Sequence, residues 1–122
     1  SKKIFYHLLG FSQGAATACR WVNAGNTKFN SLTLWAGSFP EDIDCINKMN
    51  IFNTLNTKIF IGDNDEFYNE KIIEKEIKKL NDHKMNFKIQ RYKGIHKIEN
   101  LPLIKLKELI EKEIASSKQL KN

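Results

Sequence analysis

The segment Gly10–Gly14, with the sequence GFSQG, constrains the fold of this chain more than any other feature. An apolar run at residues 4–9 precedes it, and an alanine-rich run at residues 15–21 follows it. These flanks predict a strand buried on both faces, then a sharp turn, then a helix. Glycine at each end of the turn is expected to let neighbouring backbone approach where a β-carbon would collide. The turn would then present Ser12 at a helix N-terminus, where free N–H groups favour negative charge.

Length and composition predict a single domain over residues 1–122, large enough for one modest core. Its 41% hydrophobic and 28% charged residues are ordinary for a soluble globular protein. No apolar run is long enough to predict a membrane span, and no signal peptide is visible. Cys19 and Cys45 fit neither a disulfide framework nor a metal-binding spacing, so the expected location is a reducing cytoplasm.

The net charge of +6 raises the possibility of a nucleic-acid partner. Six of the lysines, however, are interleaved with glutamates along residues 70–79 and 107–113, a pattern typical of a solvated helix face. No aromatic and basic cluster of the RNA-binding type accompanies them. We therefore expect no nucleic-acid partner.

The rest of the chain alternates predicted strands and helices. Strands are predicted at residues 31–36, 58–62 and 87–92, and helices at residues 13–24, 67–83 and from Asn100 onward. Gly25 is expected to end the first helix, and Asn100 to cap the last one, which has Pro102 in its first turn and a polar tail from Ser116. The apolar stripe of that last helix is predicted at Leu103, Leu106, Ile110 and Ile114. Residues 37–57 are the least regular part. The alternation predicts a three-layer α/β/α fold with a mainly parallel sheet of about four strands and right-handed crossovers.

Three residue types with related chemistry follow the predicted strands. Ser12 follows the first strand, Asp63 and Asp65 follow the third, and His96 follows the fourth. Functional residues of parallel sheets lie at the carboxyl ends of the strands. A serine hydroxyl needs a base to take its proton, and an imidazole base needs a carboxylate to fix its tautomer. The order serine, aspartate, histidine therefore predicts a nucleophilic site at this edge of the sheet.

Three histidines are candidates for the base. His7 lies inside the first predicted strand, which favours a structural role. His83 lies at a predicted helix end, where its charge would interact well with the helix dipole. His96 lies in the loop after the last strand and is the preferred base.

Several aspartates are candidates for the carboxylate. Asp65 is preferred because it lies further into the loop after the third strand and can turn toward the histidine. Asp63 is interpreted as a turn residue bonded to its own backbone. Asp42 and Asp44 follow the second strand and are further alternatives.

Three segments resemble the phospholipase/carboxylesterase branch of the α/β-hydrolases, which includes lysophospholipases and acyl-protein thioesterases. They are Gly10–Ala16, Gly62–Asp65 and Tyr92–His96, in the order that the family has, and the resemblance extends over nearly the whole chain. It implies the C-terminal half of an α/β-hydrolase fold and a serine hydrolase, without cofactor or metal, that acts on ester or thioester bonds. It also implies Ser12 as nucleophile, His96 as base, Asp65 as the orienting carboxylate and the Gln13 backbone N–H as one oxyanion donor.

The chain departs from the family before the serine. The family has further strands there, and its second oxyanion donor comes from a loop in that half. We therefore expect a fragment that is weak or inactive alone, since one lost donor costs about 10²–10³ in rate. A natural truncation, or a half that assembles with another chain, is the alternative. An unpaired strand 4–9 is expected to self-associate or to pair with the missing N-terminal half.

Substrate choice is less constrained. Phe11 and Phe39 are expected to contact a small-molecule ester or thioester, and Trp35 and Phe67 also lie near the predicted site. Core packing is an equal alternative for Trp35. Two other functions stay open, namely a catalytically silent binding or assembly module that keeps the hydrolase sheet, and hydrolysis of a peptide or amide bond by the same residues.

Overall fold

Four parallel strands form one sheet with helices on both faces. The computed structural model describes residues 4–41 and 51–119, with side chains to Ser117. The elements are β1 (His7–Phe11), α1 (Gln13–Ala24), β2 (Ser31–Trp35), β3 (Asn56–Gly62), α2 (Glu70–Asp82), β4 (Lys88–Tyr92) and α3 (Asn100–Gln119), and residues 51–53 are also helical. The strand order is β1–β2–β3–β4, with every pairing parallel. The α/β class and the four-stranded parallel sheet are confirmed.

Strand register brings the carboxyl ends of all four strands to one rim. Phe11 at the end of β1 pairs with Trp35, Trp35 pairs with Phe60, and Gly62 pairs with Tyr92 at the end of β4. Within the described sheet, β1 and β4 are therefore the two edges, and the loops that follow the strands share one side of the molecule.

Alternating side chains of the strands supply two cores. Leu34 and Ile59 face α1 and α2, whereas Trp35 and Phe60 face α3. The first core also contains the following buried residues of the helices: Ala15, Ala18, Cys19, Val22, Ile73 and Leu80. The small side chains of α1 allow that helix to lie close to the sheet. The result is the three-layer arrangement that the sequence predicts.

The first strand differs from its prediction. It spans His7–Phe11 rather than residues 4–9, and His7 is its first residue paired with β2. Just before it, the Tyr6 carbonyl accepts hydrogen bonds from two successive backbone N–H groups, those of Asn30 and Ser31. Ile4 and Tyr6 are 64% and 46% exposed. The β1 side chains are mostly half-buried, because an edge strand has a neighbour on one side only. The prediction of a strand buried on both faces is therefore wrong for the described sheet.

Helix bounds are close to the predictions at α1 and shifted elsewhere. Helix α1 has the predicted bounds, and Gly25 ends it in the left-handed conformation (φ 76°) with its N–H bonded to the Val22 carbonyl. Helix α2 begins at Glu70, three residues later than predicted, because the Asn69 side chain accepts a hydrogen bond from the Ile72 N–H.

The last helix contains Asn100 instead of being capped by it, and it continues to Gln119 rather than fraying at Ser116. Its predicted apolar stripe is only partly correct. Leu103 is 42% exposed, whereas Leu106 is buried and Leu109 packs beside it against the second core. Within the described part of the chain, none of the helices combines the length and the apolar character that a bilayer span requires.

Candidate active site

Ser12 lies between β1 and α1 in a conformation that residues with side chains rarely adopt. Its φ is 57° and its ψ is −120°, and such backbone geometry costs about 1–3 kcal/mol. Two backbone hydrogen bonds hold it, from the Ser12 N–H to the Trp35 carbonyl (2.8 Å) and from the Ala15 N–H to the Ser12 carbonyl (3.0 Å). The strand, the strained serine and the helix together form the predicted sharp turn.

Glycines allow this turn, but not in the way that the pentapeptide suggests. A β-carbon at Gly10 would overlap the Gly14 carbonyl oxygen, whereas one at Gly14 would meet nothing within 4 Å. The expectation that both glycines prevent a collision is therefore wrong for Gly14. Gly37 has the second close approach instead, since a β-carbon there would lie 2.6 Å from the Ser12 carbonyl oxygen. Sequence spacing offers no sign of that contact, because it joins two different loops.

A continuous path of hydrogen bonds joins the three predicted site residues. The Ser12 hydroxyl oxygen lies 2.8 Å from Nε2 of His96, and Nδ1 of His96 lies 2.8 Å from an Asp65 carboxylate oxygen. An ionised carboxylate only accepts hydrogen bonds, so the proton of the neutral imidazole belongs on Nδ1. Nε2 is then free to accept a proton from Ser12.

Asp65 is held in one orientation. Its side chain has no solvent exposure, and the oxygen that does not contact His96 accepts a hydrogen bond from the Phe67 N–H at 2.8 Å. Asp63 takes a different position, with its half-exposed carboxylate paired to Arg91 at 2.9 Å. The interpretation of Asp63 as a turn residue bonded to its own backbone misses this ion pair.

The other candidates lie elsewhere or outside the described residues. His7 contacts Ser31 through Nδ1 at 2.7 Å, near the amino ends of the strands, and His83 directly follows α2. Asp42 and Asp44 lie outside the described residues, as does Cys45.

His96 reaches Ser12 by crossing the whole rim of the sheet. Its loop follows β4 at one edge, and Ser12 follows β1 at the other, three interstrand spacings or about 14 Å away. Gly62 and Gly94 permit the crossing above β3. A β-carbon on Gly62 would overlap the Gly94 carbonyl, which accepts a hydrogen bond from the Asn64 N–H (2.9 Å). These backbone contacts with the loop after β3 place His96 on the side of β4 that faces Ser12.

Aromatic rings surround the imidazole. The Phe67 ring lies edge-on to His96 with centroids 4.7 Å apart, and Phe11 lies 5.3 Å away on a tilted plane. Phe67 is 59% exposed and so presents a ring to solvent beside the site. Phe39 is 1% exposed and packs against Phe52 in the first core, so its predicted contact with substrate would require that ring to leave the core. Trp35 is fully buried, in agreement with its core alternative.

The first turn of α1 lies directly after Ser12, and free backbone N–H groups at a helix N-terminus favour negative charge. Gln13 is the first residue of the helix and directly follows Ser12. Its backbone N–H is one of the first four of the helix, which have no partner within it. Among residues 4–41 and 51–119, no group of three or more histidine, cysteine, aspartate or glutamate side chains could hold a metal ion.

Comparison with solved structures shows the fold. Zea mays acyl-protein thioesterase 2 is similar with a TM-score of 0.73 and 17% identity, over 93% of this chain and 58% of the thioesterase. A structure of YahD with malic acid is similar with a TM-score of 0.63 and 17% identity, over 88% of this chain and 50% of YahD. No protein-family model and no curated protein sequence matches the chain. The predicted α/β-hydrolase fold is confirmed, and the chain spans between half and three fifths of each similar structure.

Proposed function

We propose that this chain carries the catalytic residues of a serine hydrolase that cleaves carboxylic ester or thioester bonds. The observation that carries the proposal is the path of two 2.8 Å hydrogen bonds from Ser12 through His96 to Asp65. The strained conformation of Ser12 supports it, because such strain is typical of residues that a functional site holds in place. The fold shared with an acyl-protein thioesterase supports the choice of bond.

The first half of the reaction forms an acyl-enzyme. The Ser12 hydroxyl oxygen attacks the carbonyl carbon of the substrate while Nε2 of His96 takes its proton. Asp65 stabilises the imidazolium that results, because its carboxylate accepts the Nδ1–H hydrogen bond. When the tetrahedral intermediate collapses, the alcohol or thiol leaves with the proton from Nε2, and Ser12 remains acylated.

The second half of the reaction releases the acid. A water molecule takes the place of the alcohol or thiol and gives its proton to Nε2 of His96 as it attacks the acyl carbon. The new tetrahedral intermediate then collapses, the proton returns to Ser12, and a carboxylic acid leaves. The free enzyme is regenerated without a cofactor.

The negative charge of both intermediates falls on the former carbonyl oxygen. The Gln13 N–H and the positive end of the α1 dipole stabilise it. A single donor is weaker than the usual pair by about 10²–10³ in rate. We therefore expect slow turnover from these 122 residues alone and faster turnover when a further polypeptide supplies a second donor.

Strand β1 provides a place for such a polypeptide. It is an edge of the described sheet, its side chains are mostly half-buried, and an edge strand has one row of unpaired backbone groups. A second copy of the chain or the remaining strands of a complete hydrolase sheet would pair with it. Size-exclusion chromatography tests pairing with a second copy. A chain that elutes as a monomer and binds no hydrophobic dye would contradict self-association.

Covalent labelling tests the proposed nucleophile. A fluorophosphonate probe should modify the wild-type chain at Ser12, and mass spectrometry of the labelled peptide identifies the site. Ser12→Ala and His96→Gln should both abolish labelling. Ser38→Ala and His83→Gln are matched controls that should label at the wild-type rate, since neither residue takes part in the hydrogen-bonded path.

Substrate hydrolysis tests the bond that is cleaved. Acyl thioesters, activated esters and anilides of the same short acid should be compared at equal concentration, and we expect the first two to be hydrolysed and the anilides not. Labelling at another residue, or preserved labelling in Ser12→Ala, would overturn the proposal. A chain with a second donor that still gives no labelling would favour the silent binding module.

A further inference from the structure

The backbone carbonyls on either side of His96, those of Ile95 and Lys97, accept hydrogen bonds from side chains of the sheet. The Lys97 N–H donates to the Ile95 carbonyl at 2.8 Å, which closes a three-residue turn with His96 at its centre. The Tyr92 hydroxyl lies 3.2 Å from the Ile95 carbonyl oxygen and 3.0 Å from that of Lys97. One phenol therefore contacts the turn on both sides of the histidine.

A buried indole completes this arrangement. The Trp35 Nε1–H donates to the Tyr92 hydroxyl and to the Lys97 carbonyl, each at 3.1 Å. Trp35 lies at the end of β2, which pairs with β1, and its ring stacks on Phe60 of β3 with centroids 4.7 Å apart. The indole thus links the crossing loop to the centre of the sheet.

We propose that Trp35 and Tyr92 are positioning residues, which hold the turn around His96 so that its imidazole meets Ser12 and Asp65. This inference rests on the function proposed above. Neither residue contacts the reacting atoms, and both act through the backbone carbonyls of Ile95 and Lys97. The resulting unit, Trp35 with Tyr92, is called the latch below.

The hydrogen bonds of the latch are shielded from water. Trp35 is fully buried and Tyr92 is 8% exposed, so water cannot readily replace the hydrogen bonds that they make. Burial is also the main cause that raises the pKa of the Tyr92 phenol above its usual value. The phenol consequently keeps its proton through neutral and mildly alkaline pH and remains a donor to the turn.

Removing one oxygen atom tests the latch. Tyr92→Phe keeps the ring in the second core but deletes all three contacts of the hydroxyl. We expect the rate constant for fluorophosphonate modification of Ser12 to fall about tenfold or more, a loss equivalent to one or two hydrogen bonds. For an activated ester, kcat should fall while KM stays within about twofold. Tyr6→Phe, which removes the hydroxyl of a half-exposed tyrosine, is the matched control and should behave as wild type.

A spectroscopic measurement separates positioning from a general loss of stability. The Nδ1–H proton of His96, which is hydrogen-bonded to Asp65, should give a downfield proton NMR signal in the wild-type chain and in Tyr6→Phe. The signal should broaden or disappear in Tyr92→Phe while thermal unfolding remains cooperative. Trp35→Phe, which deletes the indole donor and keeps an aromatic ring, should have the same effect and serves as the second variant.

The results distinguish failure of the latch from failure of the proposed function. Labelling of Tyr92→Phe within twofold of the wild-type rate, with the His96 signal unchanged, would overturn the latch. If the wild-type chain does not react with the probe even when a second oxyanion donor is supplied, the proposed function fails, and the NMR signal alone decides the latch. A signal that survives in both Tyr92→Phe and Trp35→Phe would then overturn it, and a signal lost in both would support it.

Discussion

Gly10 lies so close to Ala15 that a β-carbon at position 10 would come within 2.7 Å of the Ala15 α-carbon. This contact sets the distance between β1 and α1 and hence the height of Ser12 above the sheet. Gly14, at the other end of the pentapeptide, faces open space. The two glycines therefore give a matched pair of substitutions.

Gly10→Ala should destabilise the chain strongly, because the added methyl group meets backbone atoms that cannot rotate away. We expect a loss of about 3 kcal/mol or more in the free energy of unfolding. Gly14→Ala should instead stabilise the chain by up to about 1 kcal/mol, because alanine is the better residue inside a helix. Urea unfolding monitored by circular dichroism measures both, and equal effects of the two substitutions would contradict the packing described here.

Ser12→Gly should be more stable than Ser12→Ala. Glycine adopts a φ of 57° and a ψ of −120° without steric cost, whereas alanine keeps the strain of the native serine. We expect a difference of about 1 kcal/mol in the free energy of unfolding, since part of the gain is offset by the greater flexibility of the unfolded glycine variant. Neither variant should react with a fluorophosphonate, because both lack the Ser12 hydroxyl. A glycine variant that is less stable than the alanine variant would contradict the prediction.

Asp65→Asn should slow the labelling of Ser12 by about 10³-fold or more. An amide in place of the buried carboxylate leaves the imidazolium unstabilised and allows the wrong tautomer, and the equivalent change in the serine-protease triad costs about 10⁴ in kcat. Asp63→Asn is the control two residues away. It removes only a surface ion pair with Arg91, so its labelling rate should stay within twofold of wild type. Equal losses in the two variants would argue against the role given to Asp65.

A second polar cluster lies near the amino ends of the strands. The Lys58 ammonium, on a side chain only 2% exposed, donates to Ser31 and pairs with Glu113 of α3. The Ser31 hydroxyl donates to Glu113 at 3.0 Å and accepts from Nδ1–H of His7 at 2.7 Å. The remaining ring nitrogen of His7, Nε2, is buried without a hydrogen-bond partner among the described residues. The cluster ties the first three strands to the helix that packs on them.

This cluster should make the fold sensitive to acid. Burial, with a smaller contribution from the Lys58 charge, lowers the pKa of His7 from 6.5 to about 4. Between these two pH values the unfolded chain binds a proton that the folded chain does not, so stability is full above pH 6.5 and falls as the pH drops toward 4. Partial exposure of His7 keeps the slope below the limit of about 1.4 kcal/mol per pH unit.

Urea unfolding at pH values from 4 to 8 measures this effect. His7→Asn preserves a donor to Ser31 and removes the titrating group, so its stability should depend less on pH than that of wild type. His83→Asn is the control and should retain the wild-type pH dependence. An acid loss of stability that is identical in wild type and His7→Asn would show that other groups cause it.

Local features of the sequence predicted most of the secondary structure. Helix α1 and its Gly25 terminator follow from helix propensity and a left-handed cap, both of which depend on neighbouring residues. The grouping of Ser12, Asp65 and His96 at one rim could also be predicted, because parallel strands place their carboxyl ends together. The catalytic role of these residues remains a prediction that the labelling experiment tests.

Contacts between distant segments could not be predicted in the same way. Lys58 is the first residue of the predicted third strand and would pass for a solvated residue, yet its burial depends on Glu113, which is 55 residues away. Phe39 follows a predicted strand near the site, which predicts a contact with substrate, but its ring packs against Phe52 in the core. The latch depends on a loop that crosses the rim, and no periodicity in the sequence encodes such a route.

The position of β1 and β4 at opposite edges of the described sheet has a consequence for how the chain folds. Ser12 and His96 are 84 residues apart and meet only when every intervening strand is in register. Contacts of such long sequence separation form slowly, because loop-closure entropy must be overcome before they contribute stability. During refolding, the circular dichroism of the helices should therefore recover first and the reactivity of Ser12 toward the probe last. The rate at which labelling of Ser12 recovers then reports when the described sheet is complete.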